Sequence, residues 1–413
     1  MLTEKERIDL MTELSIELSQ VQDQDILMEH ILSRARMVAN ADAGSIYIRE
    51  EACLHIAFTQ NDTIQSRLKP EEKLIYSSFC IEINKESIAG YVAVTGELLN
   101  INDVYHIDLS EPYHFNQDID HRANYKTKSM LTLPLKQFNG EVLGILQIIN
   151  ARDAQGDIVT FSQEDQKIMC HFAATASMAL ERARMTRIIL LRMVHMAELR
   201  DPWETGAHVN RVAAYATEIY EGWALRRGEC RKKIDRVRDR LRIAAMLHDV
   251  GKVGISDIIL KKPGKLTQEE YEIMKAHTTI GKRVFIKKAS DYDDDAMEVA
   301  LNHHERWDGT GYPGYVDDTG TPIPGKVDAN GNALGKKGEE IPLFGRIVAI
   351  ADVYDALCSK RVYKEAWDDE RVHATMREQS GLHFDPELID IFFERIKIIH
   401  AIRKRYKEES CKT

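Results

Sequence analysis

Between Ala43 and Ile149 the apolar residues fall in short continuous or alternating runs, whereas from Ser162 onward they recur at helical spacing. A chain with both periods cannot bury its apolar residues in one layer type. The runs Ser45–Ile48, Leu54–Ala57, Leu98–Ile101, Met130–Leu135 and Val142–Ile149 read as strands, and Asn139-Gly140 is set as the hairpin turn between the last two. Ahead of them, Leu10, Leu14, Ile16, Leu18, Ile26, Ile31 and Met37 mark two amphipathic helices over about residues 3–39. Residues 1–180 are therefore expected to form an α+β domain on an antiparallel sheet with flanking helices. Beyond Asp201 helices are expected over 208–225, 231–250, 267–288, 293–305, 346–359, 368–378 and 386–407, an all-α bundle. Only Gly314–Glu340, rich in Gly, Pro and Asp, breaks the pattern, and it reads as an inserted β-hairpin turning at Asp328-Ala-Asn-Gly331. No internal repeat is evident.

The boundary between the two periods is itself helical. Ser162-x-x-Asp165 is a helix-start signal, and helical spacing then runs to about Leu199. Met178, Met185, Ile189, Met193 and Met196 lie near one stripe of this helix, which predicts a linking helix over 165–200 that pairs with its twin in a homodimer. At 413 residues two domains are expected, and a net charge of 56 − 66 = −10 argues against a duplex nucleic-acid binder. No stretch approaches eighteen uninterrupted apolar residues and the start carries mixed charge, so neither a membrane span nor a signal peptide is expected. The six cysteines are scattered without a C-x-x-C pair and read as reduced thiols of a cytoplasmic protein.

Metal-ligand side chains concentrate in the second domain: Glu204, His208, the pair His248-Asp249, His277, the pair His303-His304, and Asp352. Asp249 follows Ala244-Ala-Met-Leu247, and Asp352 closes Ile347-Val-Ala-Ile-Ala351. A carboxylate among apolar residues needs a positive partner, and a metal ion satisfies both acids at once. Glu204 and His208 stand four apart on one helix face, although Asp201-Pro-Trp-Glu204 also has the form of a capping box. Adjacent residues diverge by about 100° on a helix, so each vicinal pair can straddle one ion or reach two. Imidazole and carboxylate without thiolate suit Fe, Mn, Zn, Ni or Co, and two ions about 3.5–4 Å apart are the standard device for in-line attack on phosphorus. The residues alone indicate a phosphohydrolase.

Leu247-His-Asp-Val-Gly-Lys-Val-Gly-Ile255 resembles the signature of the HD hydrolase superfamily, and His303-His-Glu-Arg-Trp-Asp-Gly-Thr-Gly-Tyr-Pro313 resembles that of its HD-GYP subfamily. The resemblance spans roughly 186–405, and it implies an HD-type bundle over 186–413 that hydrolyses cyclic di-GMP to pGpG or GMP. By position it makes His208, His248, Asp249, His277, His303, His304 and Asp352 metal ligands, with Asp249 the bridge and a catalytic residue. Glu204 would serve a third ion, giving two or three divalent ions in all, with Fe or Mn favoured. Lys252 would act at the scissile phosphate, Arg361 and Lys364 would hold the other phosphate or a guanine edge, and Gly311 and Tyr312 of the signature would line the substrate site. The Gly314–Lys337 insertion departs from the subfamily pattern, so a related mixed GMP-AMP cyclic dinucleotide is the alternative substrate. A cyclic-dinucleotide receptor without turnover is the alternative activity.

Residues 5–180 resemble a GAF sensor module. Phe115-Asn-Gln-Asp-Ile-Asp120, Tyr125–Leu135 and Gln147-Ile-Ile-Asn150 are similar to its cyclic-nucleotide-binding type, although Ala151 stands where that type has Lys. The resemblance implies a dimerising sensor, with a small-molecule ligand that need not be a nucleotide.

Overall fold

The computed structural model describes residues 4–68, 80–198, 206–359 and 367–406. The chain divides into two compact units, Met1–Arg187 and Ile188–Thr413.

The first unit runs α1 (Glu4–Gln20), α2 (Gln24–Val38), β1 (Ala41–Glu50), β2 (Cys53–Asn61), α3 (Asp62–Gln65), β3 (Cys80–Glu82), α4 (Ile88–Thr95), β4 (Leu99–Ile101), α5 (Asp118–Ala123), β5 (Met130–Lys136), β6 (Val142–Arg152) and β7 (Ile158–Val159), then enters α6 (Gln163–Glu198). The sheet order is β3-β2-β1-β6-β5-β4, with β7 on the far end of β6, and each pairing is antiparallel. Alternation explains why its central strands read as apolar throughout. Ile46, Ile48, Leu133, Leu146 and Ile148 bury one face with Leu14, Leu18, Ile31 and Phe172 of the helices, while Tyr47 and Ile145 bury the other with Ala89 and Val92 of α4. The expected hairpin turn is present, with Gly140 at φ 87°. So is the helix start, where Ser162 and Asp165 bond reciprocally.

One expectation fails in this unit. Cys53 and Cys80 are not reduced thiols. They form a disulfide, because the β2–β3 pairing brings residues 27 apart in sequence to a Cα separation of 5.8 Å. Two residues of the segments that resemble the nucleotide-binding type make internal hydrogen bonds. Asn150, at φ 58°, accepts from the Lys128 N–H and donates to Tyr125 Oη and Lys126 O, while Asp120 accepts from Tyr105 Oη and from the Thr127 backbone and hydroxyl.

The second unit continues with α7 (Gly206–Arg226), α8 (Arg231–Met246), α9 (Asp257–Leu260), α10 (Gln268–Lys275), α11 (His277–Val284), α12 (Asp291–Asn302), α13 (Leu343–Cys358), α14 (Asp369–Glu378), α15 (Pro386–Glu394) and α16 (Ile396–Arg405). Helix α7 is buried nearly all round, as a helix at the centre of a bundle must be, and Val212, Tyr215, Ala216 and Ile219 pack with residues of α8, α12, α13 and α15. Several expected helices are shorter or divided. The span 267–288 breaks at Ala276, 386–407 breaks at Arg395, and 231–250 stops at Met246 before a 3₁₀ turn over Val250–Gly254. A Cβ on Gly251 would lie 1.9 Å from His277 O and 2.4 Å from Gly281 N, so only glycine lets this turn dock against α11.

The insertion is not one β-hairpin either. It forms two successive tight loops, Asp317-Asp-Thr-Gly-Thr321 and Asp328-Ala-Asn-Gly-Asn332, closed by single bridges Val316–Pro322 and Val327–Ala333. In each, the aspartate accepts backbone N–H groups two and four residues on, a short repeat that the sequence reading passed over. No helix among the described residues is long and apolar enough to cross a membrane.

Candidate metal centre

The packing of α7, α8, α11, α12 and α13 determines which polar side chains meet. His208 lies in the first turn of α7, His277 begins α11, and Asp352 sits inside α13. His248-Asp249 follows the end of α8, and His303-His304 follows α12. Both vicinal pairs thus occupy turns at helix ends and do not lie inside helices. His303 and His304 stay together, their ring centroids 4.1 Å apart in one group, whereas His248 and Asp249 fall in different groups.

Seven of the expected ligands converge in two groups. In each group one ligand atom per residue lies within 4.8 Å of the others: Asp249, His277, His303 and His304 in one, His208, His248 and Asp352 in the other. Asp249 joins them. Its Oδ1 is 3.2 Å from His277 Nε2 and 3.5 Å from His303 Nε2, while its Oδ2 is 3.4 Å from His248 Nε2. His208 Nε2 stands 3.6 Å from Asp352 Oδ1. Lys252 Nζ pairs with Asp249 Oδ2 at 2.8 Å.

The tautomers follow from the partners. His248, His277 and His303 each direct Nδ1 at a backbone carbonyl, of Ala245, Met274 and both Val299 and Ala300 respectively, at 2.7–3.1 Å. His208 Nδ1 meets Asp355 Oδ2 at 2.8 Å. A carbonyl or carboxylate oxygen can only accept, so Nδ1 carries the proton and Nε2 presents its lone pair to the centre. His277 Nε2 and His303 Nε2 are buried and make no hydrogen bond. Burial also lowers the basicity of His303, and of His304 more strongly, so both rings are neutral near pH 7. Neutral imidazoles with inward lone pairs beside the Asp249 and Asp352 carboxylates are the donor set that a divalent cation requires.

The signature loop walls this centre. Tyr312 stacks on the His304 ring with centroids 4.8 Å apart, and its N–H donates to His304 O. Burial pushes the Tyr312 phenol well above its ordinary value, so the ring stays neutral. A Cβ on Gly311 would lie 2.3 Å from Arg306 N, so the loop folds this tightly only with glycine there. The peptide Tyr312-Pro313 is cis. Among the other expected site residues, Glu204, Arg361 and Lys364 lie outside the described residues.

The sequence reading missed Asp355, its partner Arg211, and Glu305. Asp355, fully buried, accepts from His208 and, at 2.6 and 2.8 Å, from Arg211. Burial alone would raise this carboxyl, yet the His208 and Arg211 bonds hold it below the ordinary carboxylate value. A signal was present: His208-x-x-Arg211 on α7 meets Asp352-x-x-Asp355 on α13, two i,i+3 pairs on facing helices. Glu305, also buried, accepts the N–H groups of Gly314 and Lys336 and so pins both ends of the insertion beside His304. The same insertion reaches α11 through an Asp318–Lys282 ion pair.

The HD domain family matches residues 205–357 and the GAF domain family matches residues 23–180. The chain carries a GAF domain followed by an HD domain. Curated relatives include a 3'3'-cGAMP-specific phosphodiesterase 2 of Vibrio cholerae, 40% identical over 200 residues, 48% of this chain and 33% of the relative. A cyclic di-GMP phosphodiesterase of the same organism is 38% identical over 226 residues, 54% of this chain and 42% of the relative. One from Thermotoga maritima is 38% identical over 214 residues, 52% of this chain and 50% of the relative. The chain thus matches between about a third and a half of the length of these relatives.

Proposed function

We propose that the HD domain hydrolyses the phosphodiester bonds of cyclic di-GMP, yielding pGpG and, after a second cut, GMP. The observation that carries this reading is the pair of imidazole and carboxylate groups joined at Asp249. Bound divalent ions would supply an activated water there and neutralise charge developing on the phosphate. His208, His248 and Asp352 would hold one ion and His277, His303 and His304 another, with Asp249, whose carboxylate lies between the two groups, shared by both. Lys252, 2.8 Å from that bridge, is positioned to hold a phosphate oxygen and steady the departing alkoxide. Gly311 and Tyr312 shape the wall against which the substrate rests. Arg361 and Lys364 would hold the second phosphate or a guanine edge, and Glu204 would help to bind a third ion. Fe(II) or Mn(II) suits such a nitrogen and oxygen donor set.

The catalytic unit is taken as 186–413 and the sensor as 1–180, joined by the helix over 165–200. The exposed Met178, Met185, Ile189, Met193 and Met196 on α6 favour a homodimer through that helix and the GAF domain. A small molecule binding the GAF domain regulates turnover in this scheme, and a nucleotide second messenger as substrate accords with a cytoplasmic setting. The 40% identity to the 3'3'-cGAMP-specific relative favours one second reading, a mixed cyclic dinucleotide as substrate.

The test is anaerobic. Protein reconstituted with Fe(II) or Mn(II) is given cyclic di-GMP or 3'3'-cGAMP, and products are resolved over time. Release of pGpG or GMP from cyclic di-GMP supports the proposal, and faster cleavage of the mixed dinucleotide supports the second reading. No product despite full metal loading and measurable binding refutes both and leaves a receptor. Full turnover by Asp249→Ala with metal still bound would refute the bridging role.

A further inference from the structure

A second cluster of metal-ligand atoms lies in the GAF domain. Strand β2 pairs with β3 in the register Cys53–Glu82, Leu54–Ile81 and His55–Cys80. Leu54 is fully buried and Ile81 packs against the same core, so alternation turns Cys53, His55 and Cys80 together to the opposite face. There one ligand atom of each residue lies within 4.8 Å of the other two. Cys80 is exposed and the other two are half-buried, so solutes can reach the cluster. The other described cysteines, Cys170, Cys230 and Cys358, are free thiols and no part of it.

We propose that Cys53, Cys80 and His55 form a redox-gated site for a thiophilic divalent cation of the zinc class. The oxidised form is the disulfide, whose sulfurs carry no thiolate charge and bind such a cation poorly. A dithiol reductant supplies two electrons and two protons, breaks the S–S bond, leaves two thiols and is itself oxidised to its disulfide. Cation binding then displaces those two protons and gives two S-metal bonds and one N-metal bond. Two thiolates and an imidazole are three of the four donors of a tetrahedral zinc site. Glu50, whose carboxylate is 3.7 Å from His55 Nε2, or water completes the fourth position. The β2–β3 register sets the three side chains on one face through backbone hydrogen bonds that do not involve the sulfurs, so metal ligation calls chiefly for side-chain rotation. This site differs in donor chemistry from the HD centre, where no thiolate takes part, so a soft cation and a harder one sort between the two.

Cobalt(II) separates the two sites in the intact protein, because only thiolate ligation produces a sulfur-to-cobalt charge-transfer band in the near ultraviolet. The reduced protein is expected to develop this band to one cobalt per chain, and the oxidised protein to lack it. Cys53→Ser with Cys80→Ser is expected to abolish the band, and His55→Ala to weaken cobalt binding by at least about tenfold. Should the cysteine variants fail to fold, alkylation of the reduced wild type serves instead: zinc is expected to protect Cys53 and Cys80, and not Cys170 or Cys230. Absence of the band in reduced wild type at saturating cobalt, its persistence in the double variant, equal alkylation with and without zinc, or no Cys53–Cys80 linked peptide after oxidation would each overturn the proposal.

Discussion

Replacing Asp355 by Asn tests whether the HD centre depends on a residue that touches no ion. Asp355 is fully buried and holds His208 Nδ1 at 2.8 Å and the Arg211 guanidinium at 2.6 and 2.8 Å. Asparagine keeps the shape but loses the charge, and either orientation of its amide sets an N–H against one of these donors. Arg211 then stays buried with its counter-charge gone, a change that costs about 3–5 kcal/mol when one partner of a buried pair is lost. Arg211 also bonds Tyr406 O and Ser359 Oγ, and these contacts place the expected loss near the lower figure. His208 loses the acceptor that fixes its tautomer, and such outer partners are worth about 10–100-fold in metal affinity, or roughly 1.4–2.7 kcal/mol. Urea unfolding of the apo protein reads the first quantity, and competition with a chelator reads the second. A variant within about 1 kcal/mol of wild type in stability, and within threefold in metal affinity, would show that Asp355 does not organise the centre.

Gly251→Ala is expected to push the 3₁₀ turn off α11, since its Cβ would lie 1.9 Å from His277 O; a loss of about 1–3 kcal/mol with weakened metal binding is expected by urea unfolding and chelator competition. Reducing the Cys53–Cys80 bond frees a loop with a sequence separation of 27, which removes about 3–4 kcal/mol from the GAF domain; an unchanged melting temperature in dithiothreitol would contradict this. Acid should weaken the second unit through His383, whose basicity burial pushes down to about 4. The unfolded chain binds a proton there below about pH 6.5 and the folded one does not, so stability present at pH 7 falls between about pH 6.5 and 4, by up to about 3 kcal/mol. His383→Gln should flatten that part of the profile in urea titrations at graded pH.

Much of this architecture was legible in one dimension because its signals are local. The change of period near residue 160, the Asn139-Gly140 turn and the Ser162–Asp165 helix start depend on residues within a few positions of one another, and all stand in the structure. Helix breaks were less legible. The halt of α8 before His248 is enforced by the approach of α11 to Gly251, a contact between segments about thirty residues apart that leaves no local mark. The same limit hid the disulfide, since two cysteines separated by 27 residues announce nothing until β2 and β3 pair. It also hid the role of Asn150 and Asp120, whose side chains close on backbone groups that only the folded loop brings near.

The candidate centre divides along the same line. The candidate donors were readable because ionisable side chains placed among apolar residues need compensation wherever they end up, and that demand is written at Asp249 and Asp352 themselves. Which nitrogen of each ring faces inward, which carboxylate joins the two groups, and which acid supports His208 were decided by the fold. These depend on distances between α7, α8, α11, α12 and α13, and hydrogen bonding falls away within a fraction of an ångström. The sequence by itself determined the donor chemistry and the two kinds of domain; only the packing of the helices turned those donors into two groups joined at Asp249, because a side chain's direction is a property of the backbone that carries it.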